Sequence, residues 1–315
     1  MLISFVIPCY RSASTIGHIV KEIENTMMQH REFGHEIILV NDCSPDNTFE
    51  VIKELAQNYE SVIGIDISKN RGQQCAIMAG MRHSQGDLIV SCDDDGQTPI
   101  ETVFQLIEKM EIDNHDVVCG KYVDRGKRSL FRKLGTAANR KMAEVFLEKP
   151  KNLFPSVYFV AKRFVIEEII KYENPYPYMV GLLLRTTANI GNVEVTQKKR
   201  LEGKSGYTIK KLISLWVNGF TTFSIKPLRF ATFIGAILGI IGFIIITALV
   251  VQKFINPNIS IGWTSLIATN ILIGGIVLVV LGMIGEYVGR IYLSINQTPQ
   301  YVVRTIVKGG KDYSI

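Results

Sequence analysis

The sequence lacks a disulfide framework. Its five cysteines (Cys9, Cys43, Cys75, Cys92 and Cys119) are odd in number, scattered, and never spaced C-x-x-C, so they read as core packing in a reducing compartment. A secretory signal is also missing. Met1-Leu2-Ile3-Ser4-Phe5-Val6-Ile7-Pro8 has no basic n-region and no small-residue cleavage site, and reads instead as the first strand of a folded domain. There is no internal repeat and no low-complexity segment. Charge is absent from two long stretches: 23 residues between Arg229 and Lys253, and 32 between Lys253 and Glu286. Uncharged apolar runs of about 18 or more residues read as membrane spans. A buried hairpin in a large soluble core is the competing explanation. Two runs in succession, joined by the polar turn Asn256-Pro257-Asn258, favour a membrane hairpin.

Acidic residues are scarce towards the end of the chain. From Lys226 onward seven basic residues face only Glu286 and Asp312, so most of the net charge of +6 lies there. Lys226 and Arg229 precede the first apolar run, and Arg290, Arg304, Lys308 and Lys311 follow the second. By the positive-inside rule both ends, and the domain preceding them, face the cytoplasm. This basic excess belongs to a membrane surface and not to nucleic acid.

What the chain does have begins with Asp93-Asp94-Asp95-Gly96-Gln97, placed directly after the apolar run Leu88-Ile89-Val90-Ser91-Cys92. The run reads as a buried strand, and its carboxyl end is where open α/β sheets bind ligands. Hard oxygen donors at alternating positions suit Mg²⁺ or Mn²⁺ shared with substrate phosphates. Taken alone, such a triplet is equally a solvated acidic turn. Its surroundings favour a site. Strand-like runs at Ile3–Ile7, Ile37–Val40, Val62–Ile67, Leu88–Cys92 and Val117–Tyr122 alternate with helical patterns such as Thr48–Tyr59 and Thr98–Glu111. That alternation predicts βαβ units, a mostly parallel sheet, and one edge carrying every strand's carboxyl end, with Asp42 and Asp95 both on it.

Two basic clusters accompany the acidic site. One comprises Lys121, Arg125, Lys127, Arg128, Arg132 and Lys133; the other comprises Lys198, Lys199, Arg200, Lys204, Lys210 and Lys211. Either is a solvated face or a surface for a ligand bearing several phosphates. Ile209, Leu212, Ile213, Trp216, Val217, Phe220 and Phe223 share one helical face. Just before a membrane span this reads as an interfacial amphipathic helix, with a core-facing helix as the alternative. The expected organisation is a catalytic α/β domain over 1–207, an interfacial helix region over 208–228, a two-span hairpin over 229–289, and a cytoplasmic tail over 290–315.

In order along the chain come Val6-Ile7-Pro8-Cys9-Tyr10, Ile38-Leu39-Val40-Asn41-Asp42-Cys43-Ser44-Pro45-Asp46-Asn47-Thr48, Asn70-Arg71-Gly72, Gly86-Asp87 and Asp93-Asp94-Asp95-Gly96-Gln97. This order resembles family 2 glycosyltransferases. With the apolar hairpin, and with Arg200-Leu201-Glu202-Gly203-Lys204-Ser205-Gly206-Tyr207, Phe223-Ser224-Ile225-Lys226-Pro227-Leu228 and Gly285-Glu286-Tyr287-Val288-Gly289-Arg290, it is similar to the polyprenyl-phosphate group. The resemblance implies a GT-A fold and inverting transfer of one sugar from a nucleotide donor, expected to be UDP-linked. The implied acceptor is a polyprenyl phosphate, expected to be undecaprenyl phosphate. It also implies a homo-oligomer. Pro8, Tyr10, Asp42, Asp93 and Asp94 match nucleotide-sugar-binding positions, and Asp93, Asp95 and Gln97 match the metal and diphosphate motif. Lys121, Arg132, Arg200, Lys204 and Ser205 fall where phosphates of the acceptor are met, with Asp95, Arg132 and Arg200 as the catalytic set. Lys121 replaces a common arginine, keeping the charge without the bidentate fork.

Three departures follow. Arg11-Ser12 replaces the usual Asn-Glu after the tyrosine, Ser205-Gly206-Tyr207 replaces Ser-Lys-Tyr, and Phe154 stands where an aspartate is often proposed as base. A sugar hydroxyl acceptor needs a base. A phosphate monoester, with a second pKa near ~6, is already ionised at neutral pH and needs orientation instead. The expected mechanism therefore assigns no protein base. Two other readings stand beside it: transfer to a glycolipid or glycan hydroxyl, and a non-catalytic nucleotide-sugar-binding membrane scaffold.

Overall fold

The computed structural model describes residues 1–123, 144, 149–198, 226–255, 262–296 and 299–314. They form two compact units, Met1–Leu212 with Gln297–Ile315, and Ile213–Asn296.

The first unit is built on a nine-stranded sheet in the order β7-β5-β6-β4-β1-β2-β3-β8-β9. Its first five strands are β1 (Leu2–Cys9), β2 (Gly34–Asn41), β3 (Val62–Ile67), β4 (Leu88–Ser91) and β5 (Val117–Tyr122). These are the five runs that the apolar pattern predicts, with ends shifted by a few residues. β1 pairs in parallel with both β2 and β4, and β2 pairs in parallel with β3. Strands covered on both faces read as continuous apolar runs, as Phe5, Val6, Ile7, Ile37, Ile38 and Leu39 do, all fully buried. The covering helices are amphipathic. Ile16, Ile19, Val20, Ile23 and Met27 make one buried stripe on α1 (Ile16–Met28) at spacings of three and four. Crossovers are completed by α2 (Thr48–Asn58), α3 (Gln73–His83) and α4 (Val103–Ile112), the last entered through a 3-10 turn at Ile100–Thr102.

The order departs from simple winding between β4 and β5. There β6 (Phe159–Lys162) inserts antiparallel to both neighbours. β5 consequently runs parallel to β1–β4, and β7 (Ile190–Val195) runs parallel to β5. Two short helices, α5 (Arg163–Ile169) and α6 (Met179–Thr186), link β6 to β7. All strands from β1 to β5, and β7, thus end on the same edge.

The segment 290–315, expected to be a tail, is in part sheet. β8 (Val303–Lys308) pairs antiparallel with β3, and β9 (Lys311–Ser314) pairs with β8. The physical reason lies in β3, whose six residues are all buried. Without β8 its outer edge would leave backbone N–H and C=O groups unpaired. Val307 seals the join beside Gly64 and is 2% exposed.

The second unit contains α7 (Lys226–Ile255) and α8 (Trp263–Ile295), which touch each other. Pro227 opens α7 at a position where its missing N–H costs no hydrogen bond. Within α8, Ile273–Leu293 is long and apolar enough to cross a membrane; among the described residues of α7 the apolar stretch is shorter, Ala231–Ile244. The expected interfacial helix over 209–223 lies outside the described residues.

Gly64 tests the join between β3 and β8. A Cβ there would meet Cγ2 of Ile52 and Cγ2 of Val307, each at 2.5 Å. Both neighbours are β-branched and stiff at χ1, so neither yields easily. Gly64→Ala is expected to destabilise the protein by about 1–3 kcal/mol through overpacking. Thermal unfolding that leaves the midpoint unchanged would show that the two strands are not packed this closely.

Candidate functional site

The carboxyl edge gathers the ends of β1 to β5. The registers set Cys9 beside Asn41, Asn41 beside Asp66, and Val6 beside Ser91. The residues that follow each strand therefore meet: Tyr10 and Arg11 after β1, Asp42 after β2, and Cys92 to Asp95 after β4. Pro8 is buried within β1, whereas Tyr10 is 44% exposed.

Asp42 joins three loops. Its N–H donates to the Cys9 carbonyl (3.0 Å), and its carboxylate accepts the N–H groups of Arg71 (2.7 Å) and Gly72 (2.8 Å). Gly72 adopts φ +87, which favours glycine, and it leads into α3. Burial pushes the Asp42 carboxyl up, and the two amide hydrogen bonds act against that shift.

The acidic motif divides its labour. Asp94 turns back towards β1, its Oδ2 accepting the Tyr10 N–H at 2.9 Å while Thr15 Oγ1 donates to its carbonyl at 2.7 Å. Burial pushes its carboxyl up as well. Asp94 thus shapes the Tyr10 loop, which the family resemblance matches to a nucleotide-binding position. Asp93 Oδ1 accepts from Gln73 Nε2 at 2.6 Å, and Asp95 Oδ1 accepts the Gln97 N–H at 3.0 Å across the left-handed Gly96 (φ 73). Beside this pair stands Tyr122. Burial chiefly, together with the charges of Asp93 and Asp95, pushes its phenol up and keeps it neutral.

Asp93, Asp95 and Gln97 offer hard oxygen donors on one short turn. No group of three or more His, Cys, Asp or Glu side chains that could hold a metal occurs among the described residues. A cation here would draw on two carboxylates and an amide oxygen, with water and phosphate oxygens completing the shell. Mg²⁺ and Mn²⁺ accept such partial protein ligation. The donor set fits the metal that the motif implies.

Lys198 does something the sequence did not reveal. Its N–H donates to the Gln97 carbonyl at 3.0 Å, and its own carbonyl accepts from Gln97 Nε2 at 3.4 Å. Its ammonium pairs with Glu22 at 2.7 Å and with Glu101 at 2.6 Å. This member of the second basic cluster therefore has its charge engaged by two carboxylates, and it latches the segment after β7 onto the acidic motif. Desolvation alone would raise Glu101, but the hydrogen bonds and charge of Lys198 outweigh it and hold that carboxyl below its usual range. Lys198 is correspondingly held above its own usual value.

Lys121 lies opposite Glu194 in the register of β5 and β7, and the two side chains pair at 2.7 Å. Its Nζ also sits 4.8 Å from the centre of the Phe154 ring. Phe154 is fixed through its backbone, with its N–H on Asn192 Oδ1 and its carbonyl accepting Asn192 Nδ2, each at 2.9 Å. Arg132, Arg200, Lys204 and Ser205 lie outside the described residues.

Residues 4–170 match the model of glycosyl transferase family 2. The chain belongs to that family. It is 29% identical over 317 residues to the SfII prophage-derived bactoprenol glucosyl transferase of Shigella flexneri, covering 98% of this chain and 100% of that one. It is also 29% identical to the undecaprenyl-phosphate 4-deoxy-4-formamido-L-arabinose transferase of Proteus mirabilis, covering 97% and 94% of the two chains. Among solved structures, glucosyl-3-phosphoglycerate synthase of Mycobacterium tuberculosis with Mn²⁺ and UDP-glucose superposes with a TM-score of 0.53 at 15% identity, over 70% of this chain and 77% of that one. This last likeness shows the shared GT-A-type fold. The protein is a glycosyltransferase.

The Lys198 latch has a pH signature. A carboxyl held low stabilises the fold above its unfolded value, about 4.3 for Glu, and that contribution is lost as pH falls through the folded value. A raised lysine stabilises below its unfolded value of about 10.4, and that contribution is lost as pH rises through the folded one. Lys198→Met is therefore expected to lower the unfolding midpoint at pH 7, with the deficit shrinking below about pH 4 as Glu101 protonates. An equal deficit at both pH values would mean that the lost packing of the alkyl stem, and not charge pairing, is responsible.

Proposed function

We propose that this protein transfers a single sugar from a UDP-linked donor to undecaprenyl phosphate, with inversion, at the cytoplasmic face of the membrane. The observation that carries the reading is the meeting of Asp42, Asp93, Asp95, Gln97 and the Tyr10 loop at one sheet edge. Tyr10 and Asp42 hold the nucleoside end of the donor. Asp93, Asp95 and Gln97 would hold Mg²⁺ or Mn²⁺, which when bound neutralises the diphosphate and stabilises it as a leaving group. Both relatives are named for a polyprenol acceptor although their sugars differ, which supports the lipid phosphate as the shared element.

The acceptor oxygen needs no proton removed at neutral pH, and Phe154 supplies no base. Arg132, Arg200, Lys204 and Ser205 are assigned to orient that phosphate, and Lys121 to assist from the β5 end. Within the described residues Lys121 is shared with Glu194, so its part in binding requires that pairing to loosen.

Two spans, with both termini cytoplasmic, are supported by chain connectivity. The segments before α7 and after α8 belong to one sheet, since β8 pairs with β3. They must lie on one side of any membrane, so the helices between them cross it an even number of times. The lysines and arginines at the ends of the helical region favour the cytoplasmic side. A homo-oligomer completes the proposal.

Asp95→Asn is expected to abolish formation of the lipid-linked sugar, read by mass after incubation with a panel of nucleotide sugars, while leaving the protein folded in the membrane. Near-normal turnover at saturating Mn²⁺ would remove the metal assignment. Phe154→Asp tests whether transfer to the lipid phosphate proceeds without a protein base. With undecaprenyl phosphate it should not raise turnover by more than about twofold, because no proton transfer to a side chain limits the reaction. A tenfold gain would instead mean that proton removal from the acceptor limits the reaction, and would overturn the base-free reading.

A further inference from the structure

The junction of β3 with β8 carries a buried carboxylate that the proposed chemistry does not use. Asp66, at the end of β3, is 3% exposed and accepts from Asn41 Nδ2 at 2.7 Å. Its other oxygen is met by Arg304 of β8, with Nη1 at 3.1 Å from Oδ2, while Nη2 donates to the Ser68 carbonyl at 3.1 Å. The pairing of β3 with β8 shifts register at this point. Asp66 lies opposite Thr305 and Ile67 opposite Val303, so Arg304 is the extra residue of a bulge. Bulges re-aim a side chain, and this one turns a guanidinium onto the carboxylate.

The contacts continue inward. Asn41 Oδ1 accepts the Ser44 N–H at 3.2 Å, and Ser44 Oγ accepts the Arg11 N–H at 2.7 Å while donating to Asp46 at 2.5 Å. Asn41 immediately precedes Asp42, and Arg11 immediately follows Tyr10. The two loops so joined contain left-handed non-glycine residues, Arg11 with φ 57 and Cys43 with φ 49. Such backbone persists only where its surroundings hold it.

We infer that Arg304 is a positioning residue for the nucleotide loops, acting through Asp66, Asn41 and Ser44 without touching the donor. The inference rests on the reading of those loops as the nucleotide site. An exposed arginine on a surface carboxylate would contribute little. Here the carboxylate is buried, so removing the arginine leaves a charge whose remaining partner among the described residues is the neutral amide that orients the loop. Asn41 then turns or withdraws to solvate Asp66, and the left-handed turn at Cys43 loses its hold.

The test uses full-length protein in detergent, with UDP titrated calorimetrically and amide exchange followed over residues 41–48. Arg304→Met should weaken UDP binding roughly tenfold and quicken exchange in that segment. Arg304→Lys should retain most of the affinity, because the charge on Asp66 survives. Arg304→Met combined with Asp66→Asn should recover it, since the neutral amide introduced by the second substitution can still accept from Asn41 without a stranded charge. Val307→Ala is the control: it loosens the same strand, should lower the unfolding midpoint, and should leave UDP affinity unchanged well below that midpoint. Unaltered binding and exchange in Arg304→Met would overturn the inference, as would an equal loss of affinity in Val307→Ala. Failure of the unaltered protein to bind UDP would overturn the nucleotide reading instead. Exchange over 41–48 would then still decide whether the relay exists.

Discussion

Carboxylates crowded at one sheet edge are the constraint on which the rest of the molecule depends. Parallel strands deliver Asp42, Asp66, Asp93, Asp94 and Asp95 to the same end of the core, where burial opposes the charges of Asp42 and Asp94. Each is therefore given a partner. Asp42 takes two backbone amides, Asp94 takes one, Asp93 takes the Gln73 amide, and Asp66 takes Asn41 and Arg304. The loops are shaped by these obligations. Arg71-Gly72 bends to reach Asp42, the Tyr10 loop closes on Asp94, and Gly96 turns Gln97 back towards Asp95.

The same accounting separates frame from chemistry inside one motif. Three consecutive aspartates look equivalent in a sequence, yet Asp94 is turned to the inside while Asp93 and Asp95 flank the turn that ends in Gln97. The chain bends over 94–96, directly after β4 ends at Ser91, and the three side chains part there. Lys198 shows the converse. In a cluster of cations it looks like one more phosphate contact, but two glutamates from α1 and the 3-10 turn engage its ammonium and its backbone holds Gln97.

The first five strands, α2 and the convergence of Asp42 with the acidic motif were legible because each rests on local signals: continuous apolar runs, turn residues, and the handedness of crossovers. What was not legible depends on long-range pairing. β6 is a four-residue strand that gains its place only by inserting between β4 and β5. β7 is half exposed and carries Gly191 and Asn192, so its pattern is weak. β8 was hidden by its position after two apolar helices, where basic residues suggested a tail. Arg304 in particular reads as a cytoplasmic anchoring charge until β3 is seen beside it.

β8 also sets the order in which the molecule can be made. The Arg304 to Ser68 contact spans 236 residues of sequence, and the helical unit lies between its ends. A nascent chain has emitted β1 to β7 and both apolar helices before the strand that covers β3 leaves the ribosome. Until then the edge of β3 is open, and Asp66 lacks its arginine. Completion of this edge thus comes after the apolar helices have been made. A chain that terminates early carries every residue of the acidic motif and still lacks the finished edge.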